Sequence, residues 1–326
     1  VIAGDIGGTN VRLSLVGREG NIHLLTKREV KEASKTDPLL FVKVVKEWIS
    51  ELIKHGDKHG LSVLGIGLGV AGKLDYTRGI ISFSPNLPHL NGFPIVAELS
   101  ESLSLPVIIE NDANAFGLGE HWVGAAKTWN NWLGVTLGTG VGGCIFLNGR
   151  LWRGDDDAGF AGEIGHTTVV PEGLNCACGK RGCLEAYSSE SGLIRQVISD
   201  IQNNWKDAPV RPSDFEYYLK NANSITAKSL YEKGQEGDRY AGFLFERFGE
   251  ALGIAIANVF TTLGIFQAVL GGGVSGAWDL FVPSLYKSLK KNCSMVDFSK
   301  IKITRSSLGD KAALLGAAKC IFDLLS

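Results

Sequence analysis

The chain has 326 residues, 44% hydrophobic and 21% charged, with 33 Lys and Arg against 34 Asp and Glu for a net charge of −1. That is enough chain for about two ordinary domains, and the lack of any basic run or stripe argues against nucleic acid as a partner. Its 42 glycines exceed the usual share of about 7% and mark tight turns and close backbone approaches.

Residues 1–30 read as a β-meander, with Val11, Leu13 and Leu15 alternating with Arg12 and Ser14, and a turn from Gly17 to Asn21. Pro38 to His55 reads as an amphipathic helix with Leu40, Val44, Trp48 and Leu52 at four-residue spacing. Leu64 to Val70 is a buried strand ending at Ala71-Gly72, Pro94 to Leu103 a helix, and Pro106 to Glu110 a short buried strand. A second meander starts near Trp132: strand Leu133 to Leu137, turn Gly138 to Gly142, strand Gly143 to Leu147, and the hairpin signal Asn148-Gly149. Helices are expected over 188–204, 236–263, 277–291 and 309–324. The stretch from Ala251 to Trp278 has no charged residue and is long enough to span a bilayer. Its Asn258, Thr261, Thr262, Gln267 and glycines 271–273 favour a buried helix followed by a buried strand, so no membrane partner is expected. Two meanders among alternating strands and helices predict two α/β domains. A strand-like start at Val1 and the isolated apolar settings of Cys144, Cys293 and Cys320 predict no signal peptide, buried thiols and a cytoplasmic location.

Each meander carries a Gly/Thr-rich turn, Asp5-Ile6-Gly7-Gly8-Thr9-Asn10 in the first and Gly138-Thr139-Gly140 in the second. One such turn reads as a tight hairpin. Two related ones favour a phosphate clamp, because glycine exposes backbone N–H groups to anionic oxygens and Thr9 and Thr139 add hydroxyls. Neither fits the P-loop pattern. Asp5 is placed either to start its turn or to hold magnesium through water. Gly271-Gly272-Gly273 ends an apolar run before a helix, which suits an adenosine site or a plain strand–helix turn.

His166, Cys176, Cys178 and Cys183, spaced His-x9-Cys-x-Cys-x4-Cys, form the ligand set of a closed tetrahedral zinc site, flanked by Glu163 and Glu185. Asp112 stands where the apolar run Val107-Ile108-Ile109 enters a helix-forming segment. It fits a helix N-cap or a general base, and Asn111 and Asn114 beside it are neutral partners suited to hydroxyls.

These segments, with Glu110-Asn111-Asp112-Ala113-Asn114, Leu137 to Gly143, Glu163-x2-His166 and the cysteine motif ending at Glu185 in that order, resemble the ROK family of repressors, open reading frames and sugar kinases. The resemblance covers nearly the whole chain. It implies two ribonuclease-H-like domains of the actin-like ATPase fold around a central cleft, with 1–111 plus 307–326 as a small α/β domain and 112–306 as a large one carrying the zinc. It implies transfer of the γ-phosphoryl group of ATP, with Mg2+, to a sugar hydroxyl, and Asp112 as the base. Asn91, Asn111, Asp112, Glu163, His166 and Glu185 would bind the sugar. Asp5, Gly7, Gly8, Thr9, Asn10, Gly138, Thr139, Gly140, Gly272 and Gly273 would bind ATP. His166, Cys176, Cys178 and Cys183 would hold structural zinc, and a homodimer is expected.

Glucose is the first expected substrate, with N-acetylmannosamine, N-acetylglucosamine and fructose as alternatives. The family's Trp-Asn-Gly segment reads Leu90-Asn91-Gly92 here, a departure beside the sugar. Only Val1 to Gly4 precede Asp5, so a helix-turn-helix module is not expected and a kinase leads over a repressor or non-catalytic sugar sensor. An actin-like structural ATPase would share the phosphate turns but has no use for a hydroxyl-binding pocket.

Overall fold

The structure, a computed structural model, describes residues 1–30, 36–155, 159–206 and 208–326. The first meander is β1 (Ile2–Ile6), β2 (Asn10–Val16) and β3 (Ile22–Glu29). Helix α1 (Pro38–Lys58) follows, then β4 (Ile66–Val70), the hairpin β5 (Lys73–Asp75) and β6 (Ile80–Phe83), α2 (Ile95–Leu103), β7 (Val107–Asn111) and α3 (Asp112–Trp122). The second meander is β8 (Trp132–Leu137), β9 (Val141–Leu147) and β10 (Arg150–Trp152). After it come α4 (Glu185–Ser188), α5 (Glu190–Gln202), α6 (Phe215–Asn221), α7 (Ala227–Gln235) and α8 (Arg239–Leu263). The chain closes with β11 (Gln267–Gly271), α9 (Trp278–Asn292), β12 (Lys302–Arg305) and α10 (Ala312–Leu324).

The two five-stranded sheets share one plan, β3-β2-β1-β4-β7 and β10-β9-β8-β11-β12. Each is a meander extended by two strands parallel to its first: β4 and β7 in one, β11 and β12 in the other. The chain divides into two compact units. The first is Val1–Asn130, Cys144–Gly162 and Ser306–Ser326; the second is Asn131–Gly143 and Glu163–Arg305.

In the first unit β1 is covered on both faces, and its alternation shows it. Ile2 and Ile6 join the core that includes Phe41, Val45 and Ile49 of α1, whereas Val1 and Ala3 join Leu314, Ala318 and Ile321 of α10. Helix α1 begins where Asp37 accepts the Leu39 and Leu40 amides, with Pro38 in its first turn.

In the second unit the uncharged stretch from Ala251 resolves into the C-terminal half of α8, a left-handed Gly264 at φ 65°, and β11. Leu252, Ile256 and Phe260 of that helix are fully buried, and no helix among the described residues is long and apolar enough to cross a membrane. Helix α8 starts three residues later than its pattern suggests, because the Asp238 carboxylate accepts the Ala241 amide.

Parallel register fixes where loops emerge. Ile6, Val70 and Asn111 lie side by side at the carboxyl ends of β1, β4 and β7. In the second unit Thr136 pairs with Gly271 at the carboxyl ends of β8 and β11. Crevices at such ends are where open α/β sheets bind ligands.

Candidate functional site

The first unit brings the turn after β1, the loop after β6 and the start of α3 to one sheet edge. Gly7 N–H bonds Asn10 O at 3.0 Å, closing the turn. Beside it lies a cavity of about 550 Å3 lined by Asp5, Gly7, Thr9, Asn10, Arg12, Leu25, Lys27, Asp310 and Lys311. Asp5 is ion-paired with Arg12, its partner across the β1–β2 register, and Arg12 also donates to Asp310 O at 2.9 Å. Arg12, Lys27 and Lys311 bring cationic charge to a turn whose sequence signal was its glycines, Thr9 and Asp5. Arg12 was legible from the hairpin's symmetry about Gly8-Thr9, but Lys311 lies at the far end of the chain.

Asn111, not Asp112, caps α3. Its Oδ1 accepts the Ala113 and Asn114 amides at 3.0 and 3.1 Å, and its Nδ2 donates to Gly72 O at 3.0 Å. Asp112 is therefore the first helical residue, at the positive end of the α3 dipole. With its oxygen and one N–H committed, the Asn111 side chain has a single N–H left to offer a ligand. Asn114 does not present its amide to solvent. It is buried and donates to Glu110 Oε1 at 3.0 Å. Asn91 Oδ1 accepts the Ser84 amide at 2.8 Å, which shapes the 84–92 loop.

Beneath that junction is a cluster the sequence did not disclose. Glu110 is 2% exposed and accepts from Tyr76 Oη at 2.6 Å, Asn111 N at 2.9 Å, and Arg153 Nε and Nη2 at 3.1 and 2.6 Å. Burial works against the Arg153 charge, but Glu110 and Tyr76 outweigh it and hold the guanidinium above its ordinary value. Burial and the same carboxylate push the Tyr76 phenol well up, so it stays a donor.

In the second unit four features converge. The turn after β8 ties its carbonyls down: Gly138 O accepts Glu190 N at 2.9 Å and Thr139 O accepts Ser191 N at 3.2 Å. Glu185, the first residue of α4, accepts the Val141 amide on Oε2 at 3.0 Å. A Cβ on Gly140 would lie 2.5 Å from that same oxygen, and one on Gly165 would lie 2.2 Å from Val141 O. Both glycines are there for close approach, which lets the Glu163–His166 turn and the α4 start crowd the Gly138–Gly140 turn. Gly272, at φ 82°, sits against the Leu137 backbone and brings the third glycine cluster to the same place. Glu163 is exposed at the start of the short 3-10 turn Ile164–His166.

The donor atoms of His166, Cys176, Cys178 and Cys183 all lie within 4.8 Å of one another. Cys178 Sγ is 3.7 Å from Cys183 Sγ, and Cys176 Sγ is 3.8 Å from His166 Nδ1. A regular tetrahedron with Zn–S bonds of about 2.3 Å has edges of about 3.8 Å, so the set fits zinc with little adjustment. Burial and the neighbouring Cys178 and Cys176 push the Cys183 thiol up to about 12. To ionise together, the three sulfurs would need a cation among them, and the set is compatible with a divalent metal.

A model of the ROK family matches residues 1–323. The chain belongs to the ROK family. It is 32% identical over 323 residues to a glucokinase of Thermotoga maritima, covering 98% of this chain and 96% of the relative. It is 29% identical to a xylose repressor of Caldicellulosiruptor bescii, covering all of this chain and 79% of the repressor. Among solved structures, a ROK family glucokinase from Streptomyces griseus in complex with glucose and AMPPNP matches with a TM-score of 0.77 and 30% identity, over 98% of each chain. The repeated sheets are those of the family's two-domain actin-like ATPase fold.

Proposed function

We propose that the protein is an ATP-dependent sugar kinase that transfers the γ-phosphoryl group to a hexose hydroxyl, with glucose as the first substrate to test. The observation that carries this is the capping of α3 by Asn111. It places the acid at 112 after the N-cap, with its Oδ1 also taking the Ala113 amide at 2.9 Å, and sets that acid at the carboxyl end of a buried strand. A carboxylate there accepts the hydroxyl proton as the oxygen attacks phosphorus. Phosphoryl transfer asks little else of a protein than positioning and charge neutralisation.

The other assignments follow. The turns at Gly7–Asn10 and Gly138–Gly140 hold phosphates, with Gly272 and Gly273 on the adenosine side. Asp5 Oδ2 is held by Arg12, which leaves Oδ1 to hold a water of Mg2+. Glu163, His166 and Glu185 hold hydroxyls, with Asn91 and the remaining N–H of Asn111. Zinc on three sulfurs and His166 Nδ1 is structural, since four protein ligands leave no open position. Bound to zinc, Cys176 has no proton to donate, so Glu185 Oε1, 3.9 Å from its sulfur, can accept from a sugar hydroxyl. Similarity to glucokinases, one solved with glucose and an ATP analogue, supports this reading. A homodimer is part of the proposal.

The repressor relative favours a second reading, a non-catalytic sugar sensor. ADP release with ATP, magnesium and a hexose panel separates the two. Turnover that depends on one sugar supports the kinase and names its substrate among glucose, fructose, N-acetylmannosamine and N-acetylglucosamine. Sugar binding without turnover leaves the sensor.

A further inference from the structure

The Glu110 cluster is not needed by either phosphate turn or by zinc, and its bonds land on the peptides that flank Asp112. Oε1 takes the Asn111 amide on one side and the Asn114 side chain on the other, and Tyr76 Oη ties both to the segment joining β5 and β6. Oε2 takes the two-pronged grip of Arg153, which follows β10 and lies with its guanidinium 5.4 Å from the centre of the Tyr76 ring.

We propose that Glu110 and Arg153 are positioning residues that set the β7–α3 junction so that Asp112 is held in its reactive place, a role that rests on Asp112 being the base. A buried carboxylate is costly unless paired, and an apolar pair of the same volume packs at least as well. Stability alone therefore does not call for this pair. Its geometry does, because two of the three Oε1 bonds fix groups within two residues of Asp112, Asn111 N and the Asn114 side chain. Arg153 also cancels the Glu110 charge, so the arriving phosphates do not meet a second bare carboxylate beside the base. Glu120, in the same helix, is a built-in contrast. It is also fully buried, but its carboxylate accepts Ala125 N at 2.7 Å and Leu308 N at 3.1 Å, remote from Asp112.

The test compares Tyr76→Phe, Arg153→Lys and Arg153→Met with Asp112→Asn and Glu120→Gln, measuring kcat, KM for ATP, and sugar affinity without ATP. Misplacement by about 1 Å can cost about a hundredfold, so Arg153→Met should lose about ten- to a hundredfold in kcat and Tyr76→Phe about threefold or more. Arg153→Lys should fall between them, because an ammonium keeps the charge but not the fork. Sugar affinity and KM for ATP should stay within about twofold. Glu120→Gln should lower the unfolding midpoint and leave kcat per folded molecule unchanged. If Arg153→Met does not fold, the two milder variants decide. Wild-type kcat in both of them, with Asp112→Asn inactive, overturns the proposal, as does a loss confined to sugar affinity. Wild-type turnover in Asp112→Asn instead overturns the assignment of the base.

Discussion

Glu185 and Val141 are joined by a 3.0 Å hydrogen bond from the Val141 amide to Glu185 Oε2. The acid two residues past Cys183 is thereby fastened to β9, the strand that leaves the Gly138–Gly140 turn. One oxygen holds the backbone and the other lies 3.9 Å from the Cys176 sulfur, so under the proposed assignments the sugar-binding and phosphate-binding parts of this unit share a side chain.

Glu185→Gln should keep zinc and weaken sugar binding. A hydrogen bond to a charged group contributes about 1.5–3 kcal/mol, which corresponds to a loss of about 10- to 150-fold. A deoxy sugar lacking the hydroxyl that Glu185 accepts should bind variant and wild type alike. Gly140→Ala should mimic this variant, because the new Cβ meets Glu185 Oε2 at 2.5 Å. It should weaken sugar as well as ATP, and calorimetric titration that finds sugar affinity unchanged in Gly140→Ala would break the link.

Asp112→Asn should bind sugar normally and turn over at least about a hundredfold more slowly, the lower range for a lost general base. Single-turnover kinetics on a protein of unchanged unfolding midpoint checks this. Wild-type kcat would show that position 112 needs only helix-compatible polarity.

Cys178→Ser should lose zinc, unfolding midpoint and sugar affinity together. Elemental analysis of the wild type should find about one zinc per chain, as expected for one four-ligand site. Prolonged chelation should reproduce the variant's behaviour. A metal-free wild type that stays folded and active would dismiss the metal centre.

His89 should make stability fall in mild acid. Its ring lies 5.2 Å from that of Phe41, and neither ring nitrogen has a hydrogen-bond partner among the described residues. Burial lowers its pKa below the ordinary 6.5, against a smaller opposing pull from Asp37. With the folded pKa depressed, the unfolded chain takes up the proton first. The native state is unpenalised above 6.5 and loses stability as pH falls below it. Urea midpoints at about pH 7.5 and about pH 5.5 should differ less in His89→Phe than in wild type, and equal differences would clear His89 of the effect.

The fold was legible where one physical cause acts locally. Ile66 to Val70 is apolar throughout because β4 is covered on both faces, although Leu64, read into the same strand, lies exposed ahead of it, and the cysteine spacing announced a compact cluster that the structure assembles. The short strand β12 and the hairpin β5–β6 were missed because three or four residues carry too little alternation to stand out. At the α3 start two good capping residues are adjacent, and only backbone geometry says that Asn111 is the cap. The Glu110–Arg153 pair has no local signature, since the partners are 43 residues apart in sequence and meet only after the strands have paired.

Helix α10, Ala312–Leu324, packs against β1, β4 and α3, and its Leu314, Ala317, Ala318 and Ile321 are fully buried. Strands β1 and β4 thus keep one apolar face open until α10, far later in the chain, exists. At about 5–20 residues per second, a nascent chain leaves the ribosome with that face uncovered for roughly ten to forty seconds after β7 is made. During that interval it is a natural client for holdase chaperones. A premature stop codon just ahead of α10 would remove none of the proposed ligand contacts, yet it would leave the first sheet without its second face.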